Sequence, residues 1–215
     1  LAPYVGSVFQ NPKAQFYTLI TDTEIVFACE NMGMDCGEIL RRFDTTVTAM
    51  HLESLIGRNL FTLSGGEKQK IACASVHALQ PDVLVLDEPT SNLDIGTIHE
   101  LENILRLWKA LGKTVIVAEH RLDWLRLLAD RVLYFKDGKI EQEFTGAAFF
   151  EKPLGDLHEM GLRGTDRFVP QCVKKSRAKE GLELRDFCFT IKKKDLLHVE
   201  NLTIPKGAVV AVLGN

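Results

Sequence analysis

Residues 63–94 read LSGGEKQKIACASVHALQPDVLVLDEPTSNLD, and this stretch decides the fold class. It opens with a Ser-Gly-Gly turn at 64–66 and continues into a segment whose apolar residues recur at helical spacing. Four apolar residues at 83–86 follow, and they end at the acidic pair Asp87 and Glu88. A helix that leads into a short apolar strand is typical of an α/β domain with a parallel core sheet.

The Ser-Gly-Gly turn predicts a helix start. Ser64 precedes Glu67 by three residues, which is the spacing of a capping box. Gly65 and Gly66 leave the first backbone N–H groups of the helix without side-chain cover, and the positive end of the helix dipole lies there. Such a terminus can bind a phosphate group. An ordinary cap on a surface helix is the alternative interpretation of the same residues.

The apolar run at 83–86 predicts a buried parallel strand. Carboxylates at the end of a buried strand lose hydration, and ligands of open α/β sheets lie at the carboxyl ends of strands. Asp87 is therefore placed to bind Mg²⁺, which prefers oxygen ligands. Glu88 is placed to orient or deprotonate an attacking water. The alternative is a solvated acidic turn before Pro89.

Together these motifs resemble the signature and Walker B motifs of ABC-type ATPases. The resemblance covers LSGGEKQ, VLVLDEP and the D-loop-like sequence Ser-Asn-Leu-Asp at 91–94. It implies a P-loop NTPase-like α/β fold with a parallel core sheet, a helical subdomain and antiparallel strands. It also implies that one set of residues contacts the nucleotide: Ser64, Gly65, Gly66, Gln69 and Asp94.

Two further strand ends carry polar residues. The strand within residues 4–10 ends at Gln10, and a buried strand expected at 114–118 is followed by His120. Read alone, Gln10 is an ordinary loop residue and His120 a structural histidine. By the resemblance, Gln10 is the Q-loop glutamine and His120 the H-loop histidine. The implied catalytic set is Glu88, His120 and Gln10, and the implied Mg²⁺ ligands are Asp87 and Gln10.

The chain divides into three parts. By the resemblance, residues 1–160 form a first ABC ATPase domain without its N-terminal strands and Walker A loop, and its helical subdomain spans about 13–62. Residues 161–180 contain Gly, Pro and a basic run, which predict a linker. Residues 181–215 resemble the first β-strands of a second ABC domain. One hypothesis has these strands fold back or swap between chains, because sheet edges would otherwise stay exposed. Strand 208–213 would then lie beside the Asp87 strand.

No Gly-x-x-Gly-x-Gly-Lys-[Ser/Thr] phosphate-binding loop occurs in the 215 residues. The resemblance therefore identifies the chain as a piece between the two Walker A motifs of a longer protein with tandem ATPase domains, which binds ATP and Mg²⁺. Because backbone amides and a lysine of that loop normally hold the phosphates, we expect the chain alone to be inactive.

Bulk composition excludes some classes of protein. The net charge of −3 gives no electrostatic case for nucleic acid as a partner. No apolar run reaches the roughly 20 residues that a membrane-spanning helix needs. The five cysteines include no Cys-x-x-Cys pair, which favours reduced thiols over a disulfide framework or a zinc site.

Residues 24–33 resemble energy-coupling-factor importers of vitamins and metal ions. This resemblance implies an ATP-hydrolysing subunit at the cytoplasmic face of the cell membrane. Its expected partners are a transmembrane transporter subunit and a second ABC domain. Two alternatives stay open: a soluble, non-transport ABC ATPase that acts on ribosomes or DNA, and a non-catalytic fragment, since Walker A is absent.

Overall fold

A computed structural model describes residues 3–91, 93–165, 180–191 and 194–210. The chain divides into two compact units, Leu1–Arg167 and Phe168–Asn215. The division falls within the range predicted as a linker, and residues 166–179 of that range lie outside the described residues.

The first unit is α/β, and the second contains a β-hairpin. Strands of the first unit are β1 (Val5–Val8), β2 (Val83–Asp87), β3 (Thr114–Ala118), β4 (Arg131–Lys136) and β5 (Lys139–Thr145). Its helices are α1 (Thr21–Asn31), α2 (Cys36–Met50), α3 (Gly65–Leu79), α4 (Ile95–Ala110), α5 (Gly146–Phe150) and α6 (Leu154–Glu159). The described strands of the second unit are β6 (Gly181–Ile191) and β7 (Lys194–Pro205).

The core sheet has the order β1-β2-β3, and both pairings are parallel. Leu84 and Leu86 of β2 are buried on the face that packs against the helices. Gly6 of β1 lies on the same face, where a Cβ would collide with Val76 of α3. The parallel core sheet expected from the sequence is therefore confirmed, and the absence of a side chain at position 6 lets α3 approach it closely.

The predicted neighbour of the Asp87 strand is wrong. β2 is the middle strand, and β1 and β3 already occupy both of its edges, so a strand at 208–213 cannot pair beside it. Residues 208–210 lie in no strand, and 211–213 lie outside the described residues.

β3 is half exposed, whereas the sequence predicts a buried strand. Ile116 is 53% exposed. Within the described residues β3 pairs with β2 alone, and its alternate side chains Val115 and Val117 face the helices while Ile116 does not. An apolar run alone does not reveal whether one face or both will be covered.

Helix α3 is the centre of the first unit, and it begins directly after the predicted capping residue Ser64. The Ser64 hydroxyl accepts from Glu67 N–H at 3.2 Å, and Glu67 Oε2 accepts from Ser64 N–H at 2.7 Å, which confirms the capping box. At the other end, Arg42 of α2 donates to the carbonyls of Ala78 and Leu79 at 3.1 and 2.8 Å. These carbonyls lack partners within the helix, so the guanidinium fixes the two helices to each other.

The described residues contain two antiparallel hairpins, β4–β5 and β6–β7. Asp137 and Gly138 join β4 to β5 with φ angles of 49° and 74°, as a type I′ turn requires. In the second unit, β6 and β7 pair antiparallel. Within the described ranges, no helix has the length and hydropathy needed to cross a membrane.

A buried histidine makes stability depend on pH. His77 on α3 is 8% exposed, and its Nδ1 accepts from Trp108 Nε1 at 3.0 Å. Burial, with a smaller contribution from the charge of Lys113, lowers the pKa of His77 below 6.5. The unfolded chain therefore binds a proton at a higher pH than the folded chain, and stability rises with pH across this interval.

We expect the contribution of His77 to the free energy of unfolding to be constant well above pH 6.5 and to fall as the pH decreases through 6.5 and below. Urea unfolding of the chain at several pH values measures this dependence. The control is His77→Gln, which keeps an acceptor near Trp108 but does not titrate. An equally steep fall in His77→Gln would contradict the assignment.

Candidate nucleotide-hydrolysis site

The carboxyl ends of β1, β2 and β3 meet at one edge of the sheet. The register pairs Val8 with Leu86 and Asp87 with Ala118. Gln10 and His120 each follow their strand by two residues, and Glu88 follows β2 directly. Parallel pairing therefore gathers three residues that lie far apart in the sequence.

Glu88 is the centre of this cluster. Its Oε2 accepts from Gln10 Nε2 at 2.6 Å, and its Oε1 lies 2.7 Å from His120 Nε2. The Glu88 side chain is 28% exposed, whereas that of His120 is 73% exposed, so the carboxylate lies beneath the imidazole at the rim. The structure brings the three residues predicted as catalytic into direct contact.

The backbone at Glu88 is unusual. Its φ is 40°, in the left-handed region that non-glycine residues rarely adopt. Its N–H donates to the carbonyl of Ala118 at 2.8 Å, which extends the β2–β3 pairing by one hydrogen bond. The chain turns at this position, and the carboxylate is directed toward Gln10 and His120 instead of continuing the strand.

This arrangement can activate water. Glu88 Oε2 accepts one hydrogen bond from Gln10, and Oε1 lies 2.7 Å from His120 Nε2. A carboxylate has about four lone-pair sites in all, so it can accept further hydrogen bonds. A water bonded there would be oriented by the base that could remove its proton. The exposed imidazole of His120 adds a donor beside that water.

The residues beside Glu88 suit a hard divalent cation. Asp87 is exposed at the end of β2. Gln10 uses its amide nitrogen on Glu88, which leaves its amide oxygen as the free donor atom. Within the described residues no group of three or more His, Cys, Asp or Glu side chains could hold a metal ion. Mg²⁺ commonly uses only one or two protein ligands with water and phosphate oxygens, so this donor set fits it.

The signature residues form a second group at the start of α3. Ser64 and Gly65 are exposed, and the Ser64 N–H already donates to Glu67 Oε2. The hydrogen bond from Ser64 N–H lowers the pKa of Glu67, and Arg58 lies 2.8 Å from the same carboxylate. Glu67 is therefore ionised and already paired, and the guanidinium adds positive charge to this end of the helix.

Gly66 is required by packing. A Cβ at this position would lie 2.5 Å from Thr97 Oγ1 and 2.6 Å from Thr97 Cγ2 on α4. Thr97 N–H in turn donates to Asp94, the N-cap of α4, at 2.8 Å, and this bond is the main cause of the lowered pKa of Asp94. The signature turn and Asp94 are thus neighbours through Thr97. Asn92 of the D-loop-like sequence lies outside the described residues.

Gln69 is buried, whereas Ser64 and Gly65 are exposed. It is 3% exposed, and its amide nitrogen has no hydrogen-bond partner among the described residues. Its predicted contact with the nucleotide stays a prediction.

Sequence reasoning does not single out Glu119 or Thr90, although both lie in the loops around the cluster. Thr90 Oγ1 donates to Glu119 Oε2 at 2.6 Å, so the loop after β2 and the loop after β3 are joined by side chains. The one sequence feature that could have pointed to Glu119 is a carboxylate directly before His120, at the end of an otherwise apolar strand.

Comparisons with known proteins show which family this chain resembles. A family model described as ABC transporter matches residues 2–91. The chain belongs to the ABC transporter ATP-binding family. It has the ABC ATPase fold of cbiO1 from Clostridium perfringens, described as part of the ABC transporter complex cbiONQ. The TM-score is 0.64 at 32% identity, and the match covers 69% of this chain and 59% of cbiO1.

Curated relatives point to the same family. A putative ABC transporter ATP-binding protein of Treponema denticola is 45% identical over 163 residues, which cover 76% of this chain and 33% of the relative. The energy-coupling factor transporter ATP-binding protein EcfA1 of Streptococcus sanguinis is 36% identical, over 88% of this chain and 66% of EcfA1. The matched residues thus span about a third of the Treponema denticola protein and about two thirds of EcfA1.

We expect Gly66→Ala to destabilise the chain by roughly 1–3 kcal/mol, because the added methyl group collides with Thr97. Thr97→Ala removes both clashing atoms, so the double variant should recover much of the loss. Urea unfolding measures each variant. Gly155→Ala on α6 is the matched control, because its Cβ would meet no atom within 4 Å. A Gly66→Ala chain as stable as wild type would contradict the packing role.

Proposed function

We propose that the chain is the catalytic part of an ABC ATPase subunit that powers membrane import of a small solute, a vitamin or a metal ion. The observation that carries this proposal is the Gln10–Glu88–His120 cluster at the carboxyl ends of three parallel strands. The energy-coupling-factor relative and the cbiO1 structure support an importer over other members of the family.

Each residue of the cluster has a distinct part in hydrolysis. Glu88 accepts the proton of the water that attacks the terminal phosphate of ATP. Gln10 and His120 keep the carboxylate in place, and His120 donates toward charge that develops on the phosphate oxygens. Mg²⁺, when bound by Asp87 and the Gln10 amide oxygen, would neutralise part of that charge.

The two groups of residues serve two nucleotides. Asp87, Glu88 and His120 act on the nucleotide of their own domain, and the turn at 64–66 with Asp94 closes on the nucleotide of a second ABC domain. Phosphate-binding loops would come from a longer protein in which residues 181–215 open the second domain. The length of the Treponema relative, three times that of its matched region, supports such a protein.

In that longer protein, we expect Glu88→Gln to lower kcat for ATP at least roughly 100-fold, because the base is lost. ATP binding should persist, since the amide keeps the shape of the carboxylate. Phosphate release measures turnover, and Glu141→Gln on β5 is the matched control. Hydrolysis that survives Glu88→Gln would contradict the role of Glu88. The 215-residue chain assayed alone should be inactive, and Glu88-dependent turnover by it would contradict that part of the proposal.

An apolar groove in the helical region is the proposed site of the transmembrane subunit. The groove has a volume of about 490 Å³. Its lining residues are Tyr17, Phe27, Ala28, Asn31, Met32 and Leu79. Tyr17 and Phe27 stack with ring centroids 5.0 Å apart, and Met32 is 44% exposed, so apolar surface is open to a partner. Docking here would hold the ATPase at the cytoplasmic face of the membrane.

In the longer protein, we expect Phe27→Asp to abolish co-purification with a transmembrane subunit, while ATP hydrolysis by the protein without that subunit is retained. A charge in the groove opposes burial of an apolar segment. Leu127→Asp is the control, because Leu127 is 77% exposed and outside the groove. Co-purification of the wild type with ribosomes or DNA, and with no membrane protein, would favour a soluble ABC ATPase.

A further inference from the structure

Glu119 connects the loop that carries His120 to the loop that carries Glu88. Its Oε1 accepts from the backbone N–H groups of His120 and Arg121 at 2.8 and 3.0 Å. Its Oε2 accepts from the Thr90 hydroxyl at 2.6 Å. One carboxylate therefore bonds to the backbone of one loop and the side chain of the other.

A second hydrogen bond joins the same two loops. Arg121 donates from its guanidinium to the carbonyl oxygen of Thr90 at 3.2 Å. Thr90 is fully buried, so its hydroxyl and carbonyl are fixed points within the protein. The backbone of His120 is consequently tied on both sides to the chain just after Glu88.

The link matters because His120 is otherwise poorly restrained. Its side chain is 73% exposed, and it reaches Glu88 Oε1 at 2.7 Å from the rim. An exposed side chain holds such a contact only if its backbone is fixed, since rotation of the loop would move the imidazole away. The bonds from Glu119 to the N–H groups of His120 and Arg121 restrict that rotation.

We propose that Glu119 is a positioning residue, which acts with Thr90 to hold His120 against Glu88. The inference rests on the proposed ATP hydrolysis, in which Glu88 and His120 are catalytic. Glu119 touches neither nucleotide nor water in this role. Its effect reaches the reaction through the backbone of His120 alone.

The kinetic test uses the full-length ATPase. Glu119→Ala should lower kcat roughly 10- to 100-fold, because small displacements of a catalytic group are costly, and should change KM for ATP less than twofold. Glu119→Gln should retain more activity, since its amide oxygen can still accept from both N–H groups. Thr90→Val, which removes the hydroxyl but keeps the shape, should fall between Glu119→Ala and wild type.

A double-mutant cycle separates positioning from a general structural role. In a His120→Ala background, Glu119→Ala should cause no further loss of kcat, because there is no imidazole to position. An equal loss in both backgrounds, or an unchanged kcat in Glu119→Ala alone, would overturn the inference. Glu141→Ala is the matched control for removal of an exposed carboxylate.

Hydrogen–deuterium exchange gives a readout that does not depend on activity. The amides of His120 and Arg121 should exchange faster in Glu119→Ala than in wild type, and near the wild-type rate in Glu119→Gln. Unchanged exchange in Glu119→Ala would overturn the inference even if turnover fell. Wild-type protein that does not hydrolyse ATP would instead overturn the proposed function, while the exchange data would still decide the role of Glu119.

Discussion

Parallel hydrogen bonding of β2 with both β1 and β3 is the constraint on which the site depends. The pairing of Val8 with Leu86 and of Asp87 with Ala118 fixes where each strand ends. Because all three strands run in one direction, Gln10 and His120 reach Glu88 from both sides. A shift of one residue in either pairing would turn alternate side chains to the opposite face and remove one contact.

Helix α3 ties the second group of residues to this sheet. Its first turn packs through Gly66 on Thr97 of α4, and its last turn is held by Arg42 of α2. Along its length it lies on the sheet at Gly6. The helix therefore forms a rigid connection between the signature turn, the helical region and the core sheet. In the proposed function, this is the path by which closure on a second nucleotide would reach the groove of the membrane partner.

Local signals predict much of the fold. The bounds of α3 follow from a capping box, the β4–β5 turn follows from Asp137-Gly138, and β2 follows from an apolar run between turn residues. The sequence does not predict the tertiary arrangement, that is, which strands are neighbours in the sheet and which faces of the strands are buried. The order β1-β2-β3 excludes the expected partner of β2, and Ile116 is exposed although its strand is apolar.

The catalytic candidates were predictable from motifs, but the residues that hold them in place were not. Ser64, Asp87, Glu88 and His120 sit in patterns that specify chemistry by residue type and spacing. Glu119 carries no such pattern, because its role depends on a hydroxyl 29 positions away that only the folded chain brings near. Gln69 shows the opposite case, since its motif suggests a ligand contact and the packing of α3 buries it.

Glu88 shows how the site resolves a conflict between backbone and side chain. Its φ of 40° lies in a region where an L-residue costs roughly 1 kcal/mol or more. Glycine would remove that cost, but it would also remove the carboxylate that Gln10 and His120 both contact. The bond from Glu88 N–H to the carbonyl of Ala118 offsets part of the strain, and it comes from the same strand that leads to Glu119 and His120. The backbone conformation of Glu88 and the position of His120 therefore both depend on the carboxyl end of β3. A substitution that moves this strand end would disturb both residues.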